Sequence, residues 1–107
     1  MEIDERVLGK IVQRVLGAAR PSRILLFGSA AEGTMTPDSD IDLLVIHDGS
    51  EDAAREGVRI RAALAGMGYP FDVFVMSAEE FEETKNVIGG LAYPANKYGK
   101  VIHETAG

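Results

Sequence analysis

Apolar residues near the start of the chain recur at Ile3, Val7, Leu8, Ile11, Val12, Val15 and Leu16, a spacing that predicts a helix with one buried stripe. Glu2, Asp4 and Glu5 fall in its first turn, where negative charge meets the positive end of the helix dipole. Pro21 ends any continuation, and Ile24-Leu25-Leu26-Phe27 is a short wholly apolar run, as expected of a central strand that stops at Gly28. From Ser29 to Ser39 the residues are small and polar, broken by Gly33 and Pro37, which predicts a loop or short helical turn and then a tight turn at Pro37-Asp38. A second strand is expected over Asp40 to Ile46. Its alternation puts Ile41, Leu43 and Val45 on one face and Asp40, Asp42, Leu44 and Ile46 on the other.

After the break His47-Asp48-Gly49-Ser50, the stripe Ala53, Gly57, Ile60, Leu64 and Met67 predicts a second helix ending near Gly66 and Gly68, with Arg55, Arg59 and Arg61 turned to solvent. Phe71 to Met76 reads as a third strand carrying a single aspartate, Asp72. Ser77-Ala78-Glu79-Glu80 has the form of a capping box, so a third helix should begin there and run to Val87 or Ile88. The remainder contains Gly89-Gly90, a segment interrupted by Pro94, and a short edge strand at Lys100 to His103. The order helix, strand, loop, strand, helix, strand, helix predicts an α/β (α+β) fold: one small mixed β-sheet with helices packed against it, in a single domain over residues 1–107.

Composition narrows the function. A chain with 46% hydrophobic and 26% charged residues is an ordinary globular protein. No apolar run approaches the roughly 20 residues a membrane helix needs, and the acidic start is unlike a secretory leader, so a cytoplasmic protein is expected. A formal charge of −6 argues against nucleic acid as a direct partner, because phosphate backbones are bound by clustered Lys and Arg. The absence of cysteine excludes thiolate nucleophiles and cysteine metal sites.

Against this background the aspartates stand out. Strands are poor in aspartate, and like charges on one face repel unless a cation offsets them. Magnesium accepts oxygen ligands from one or two carboxylates together with substrate phosphates. Asp40 and Asp42 at i and i+2, with Asp72 from a neighbouring strand, suit that role, while Gly28 allows a phosphate close to the backbone and the Ser29 hydroxyl can bind its oxygens. The blander readings are a pair of strand-end carboxylates capping loop amides, and for Asp72 a charge that discourages aggregation at a sheet edge.

Gly28-Ser29, ten intervening residues and Asp40-Ile41-Asp42 form the pattern GSX10DXD, which resembles the signature of the polymerase beta-like nucleotidyltransferases. The flanking FGS and PDSDIDLLV resemble the minimal nucleotidyltransferase (MNT) subfamily; FDVFV stands where that family has its third carboxylate, and Tyr98 to Glu104 resembles its usual ending. The resemblance implies transfer of a nucleoside monophosphate, AMP from ATP, to an acceptor hydroxyl. It implies two Mg2+ ions held by Asp40 and Asp42, Asp72 on the ion that activates the acceptor and placed to help deprotonate it, and Gly28 and Ser29 on the triphosphate. It also implies a HEPN-domain partner in a toxin-antitoxin pair, in which this chain is the antitoxin that adenylylates a tyrosine of the toxin, and a homo- or hetero-oligomer. One departure is Glu32, where relatives commonly carry arginine in GS-x-A-R-G. That exchange keeps a second reading open: an MNT-fold binding module of weak catalytic power that neutralises its partner by complex formation.

Overall fold

The computed structural model describes residues 3–36, 38–49 and 52–105. Glu2 of the predicted first turn, Pro37 of the tight turn and Ser50 of the predicted break lie outside the described residues. The elements run α1 (Glu5–Ala18), β1 (Arg23–Phe27), α2 (Ser29–Glu32), β2 (Ile41–His47), α3 (Ala53–Leu64), β3 (Phe71–Ser77), α4 (Ala78–Thr84), α5 (Ala92–Tyr98) and β4 (Lys100–Glu104). Among the described residues they form a four-stranded mixed sheet in the order β3-β2-β1-β4 with five helices, the α/β arrangement expected from the sequence.

β1 is antiparallel to both β2 and β4, whereas β2 and β3 run parallel. A parallel pair needs a crossover, and α3 supplies it. α1 and α3 bury their stripes against one face, where Leu8, Ile11, Val15, Ile60 and Leu64 meet Ile24, Leu26, Ile41, Leu43, Val45 and Val73. Burial of side chains this size contributes roughly 1.5–3 kcal/mol each, so this layer dominates stability. The other face, made by Leu25, Phe27, Leu44, Ile46 and Met76, is covered by Phe81 of α4 and by Ala92 and Ala95 of α5. This half of the alternation matches the sequence reading, with Asp42, Leu44 and Ile46 on one side of β2.

Caps explain several boundaries. Asp4 accepts from the Arg6 amide at 2.7 Å to open α1, Asp52 accepts from the amides of Ala54 and Arg55 to open α3, and Ser77 Oγ accepts from the Glu80 amide at 3.1 Å to open α4. Some expectations need correction. α4 stops at Thr84, short of Val87, where the Thr84 hydroxyl turns back to donate to the Glu80 carbonyl. The segment containing Pro94 is helical, because Pro94 is the third residue of α5 and its missing amide is one that has no intrahelical acceptor. Arg59 and Arg61 are exposed, as expected, but their heads are tethered: Arg59 Nε donates to the Ala18 carbonyl at 3.1 Å and Arg61 Nη2 to the Val73 carbonyl at 2.6 Å. The latter covers the outer side of the edge strand β3, and the lack of a side chain at Gly57 makes room for it, since a Cβ there would lie 2.9 Å from Arg61 Nη1. No helix among the described residues is long and apolar enough to cross a membrane.

Candidate active site

The site sits where β1 ends and β2 and β3 begin. Antiparallel pairing sets Phe27 opposite Asp42, and parallel pairing sets Asp42 opposite Asp72, so three neighbouring strands bring Gly28, Asp42 and Asp72 to one edge of the sheet. Because β2 and β3 run the same way, both aspartates lie at N-terminal ends on the same face. α4 starts after β3 ends and covers the opposite end of that face, over Ile46 and Met76. The carboxylates are therefore left uncovered: Asp42 is half-buried, and Asp40 and Asp72 are exposed.

Gly28 takes φ 69° and ψ −152°, a combination almost confined to glycine. A second reason excludes larger residues, since a Cβ at Gly28 would overlap the Asp42 carboxylate. The same geometry lets the strand reverse into α2, where the Gly28 carbonyl accepts from the amides of Ala31 and Glu32 at 3.1 and 3.2 Å. Ser29 opens this short helix, where amides have no intrahelical acceptor. Glu32 closes it, exposed to solvent.

Burial raises the Asp42 carboxyl above its ordinary pKa, and the negative charges of Asp72 and then Asp40 raise it further. Phe27, paired across the ladder with Asp42, and Phe74 lie on the same face, with ring centroids 5.9 Å apart and planes at 49°. Neither ring stands out in the sequence, although Phe74 shares the parity of Asp72 along β3. Two clefts, of about 480 Å³ beside His47 and Glu56 and of about 720 Å³ along the outer edge of β3, are lined by none of Gly28, Ser29, Asp40, Asp42 or Asp72, although Phe74 borders the second. His47 is buried there, its Nδ1 accepting from the Gly49 amide at 2.8 Å, far from the carboxylates at the other end of β2.

Among the described residues no three His, Asp or Glu side chains close into a finished metal cage. The donor set nevertheless fits a hard divalent cation. It consists of carboxylate oxygens only, it concentrates like charge that a cation would offset, and it adjoins a glycine whose missing side chain leaves space against Asp42. An open set of this kind is completed by substrate oxygens and water.

The exit of β1 at Gly28 thus stands beside Asp42 of β2, which is paired in turn with Asp72 of β3. The chain belongs to the nucleotidyltransferase domain family, whose model matches residues 5–94. Among solved structures, it is similar to a toxin-antitoxin solved with AMP-PNP, at 21% identity and a TM-score of 0.70, covering 92% of this chain and 73% of that one. It is also similar to a mutant of the toxin-antitoxin MntA-HpeT, at 19% identity and a TM-score of 0.69, again covering 92% of this chain and 73% of that one. A Sulfolobus solfataricus protein shares the fold at 21% identity and a TM-score of 0.59, covering 89% of this chain and 76% of its own. No curated protein matches the chain.

Proposed function

We propose that this nucleotidyltransferase, a single domain over residues 1–107, moves AMP from ATP to an acceptor hydroxyl, with Asp40, Asp42 and Asp72 binding two Mg2+ ions and Gly28 and Ser29 binding the triphosphate. The observation that carries the reading is the in-register placement of Asp42 and Asp72 beside the Gly28 turn. In the reaction the acceptor oxygen attacks the α-phosphorus, the bond to the oxygen bridging to the β-phosphate breaks, and pyrophosphate leaves with the electron pair. The acceptor proton passes to the Asp72 carboxylate, which is exposed and so accessible to an incoming hydroxyl. Gly28 and Ser29 orient the triphosphate so that the leaving group lies in line with the attack. Bound magnesium supplies the positive charge that offsets the α-phosphate and the departing pyrophosphate.

The acceptor is a tyrosine of a HEPN-domain toxin, and the chain is its cytoplasmic antitoxin. Two features support this: the similarity in fold to toxin-antitoxin structures, one of them with a nucleoside triphosphate analogue, and the open site, which would enclose a nucleotide poorly without a second protein. Exposed Glu32 favours a second reading, a binding module with little turnover, because a carboxylate close to a triphosphate repels it. Intact-mass analysis of the partner after incubation with ATP and magnesium separates the two. An added AMP that disappears with Asp42→Asn supports transfer, and a stable complex without mass change supports the binding module.

A further inference from the structure

Asp42 and Asp72 are fixed by the ladder between β2 and β3, but Asp40 precedes β2 and stands outside that register. On its C-terminal side the chain is held by the Ile41 amide, which donates to the Pro70 carbonyl at 2.8 Å, and on its N-terminal side by the turn that leads into it. Across that turn Thr36 and Ser39 are joined three ways. The Ser39 amide donates to the Thr36 carbonyl at 3.0 Å, the Thr36 amide donates to Ser39 Oγ at 2.9 Å, and the two hydroxyl oxygens lie 3.1 Å apart with either as donor. Backbone and side chain thus close on each other at the residue bonded directly to Asp40.

We propose that Ser39 and Thr36 are positioning residues for divalent-cation binding: their mutual clamp holds Asp40 in line with Asp42 before any nucleotide arrives. This rests on the reading of the site as a metal-dependent transferase. An exposed carboxylate at the end of a free loop must give up backbone and side-chain freedom on binding a cation, whereas one already anchored gives up less, so affinity rises without any new ligand. A purely architectural role is a weaker explanation. Thr36 is exposed, Ser39 is half-buried, and neither belongs to the two apolar layers, so the clamp adds little to the packing.

The test is Mn2+ titration of the full chain without nucleotide, following the free ion by electron paramagnetic resonance, with thermal melting of the metal-free proteins in parallel. Ser39→Ala is expected to weaken Mn2+ binding about tenfold while its melting temperature stays near that of the unaltered protein. Thr36→Val, which keeps the backbone bonds, is expected to weaken it about threefold, and Ser39→Thr, which keeps the hydroxyl, to restore it. Ser39→Ala with unaltered Mn2+ affinity overturns the proposal, and should that variant not fold, unaltered affinity in Thr36→Val does so. If the unaltered protein binds no more Mn2+ than Asp42→Asn, the metal site itself fails and the clamp's role fails with it.

Discussion

Asp42 and Asp72 face each other across parallel strands, in register and on one face of the sheet. Strand spacing places their backbones only about 4.8 Å apart, and direct juxtaposition of like charges is destabilising. Without a cation this pair opposes folding. Asp42→Asn should therefore raise the melting temperature of the metal-free protein by a few degrees at neutral pH while reducing AMP transfer by roughly 1000-fold or more. Calorimetry and turnover measured on the same preparation check both halves.

The pH dependence follows from the direction of the Asp42 shift. Its carboxyl titrates above the ordinary carboxylate value in the folded state, so the folded protein holds this proton more tightly than the unfolded one. The contribution to stability is present below the unfolded pKa and is lost as pH rises through the folded pKa. Cation binding has the opposite sign, since it needs the ionised carboxylate. The stabilisation conferred by Mg2+ should thus grow as pH rises out of the carboxylate range and level off near neutrality. Melting curves with and without Mg2+ at a series of pH values measure it.

Gly28 combines a backbone conformation nearly confined to glycine with contact against the Asp42 carboxylate. Gly28→Ala should cost about 2–4 kcal/mol in stability, read by denaturant titration. The folded fraction should also lose transfer activity, because the new methyl group displaces the carboxylate rather than a spectator side chain.

Glu32 closes α2 three residues after Ser29 and is exposed. Glu32→Arg should lower the KM for ATP by about three- to tenfold, with an advantage that shrinks as salt rises, since the interaction is one of exposed charges. An unchanged KM would separate Glu32 from the triphosphate.

The parts of this architecture legible in the sequence are those written in local periodicity. Ile24 to Phe27 and Ile41 to His47 are strands because their apolar residues are buried on both faces, and Asp42 was conspicuous because it breaks that pattern. α5 was hidden because proline reads as a helix breaker, although at the third helical position it costs no hydrogen bond. Arg61 reads as a solvated helix residue, yet its long stem carries the guanidinium to the Val73 carbonyl because β3 is an edge, a fact set by strand order rather than by neighbours in sequence. For the same reason the motif spacing points to Asp40 and Asp42 and the strand pattern to Asp72, while the register of Asp42 against Asp72 and the Phe27–Phe74 pair on that face emerge only from the assembled sheet.

The most direct test of nucleotidyl transfer compares ATP labelled at the α-phosphate with ATP labelled at the γ-phosphate, each incubated with the protein, magnesium and its toxin partner. The account predicts that the α label becomes fixed to a tyrosine of the partner and the γ label appears in pyrophosphate. Fixation of the γ label instead, or α labelling that survives in Asp42→Asn, would contradict it.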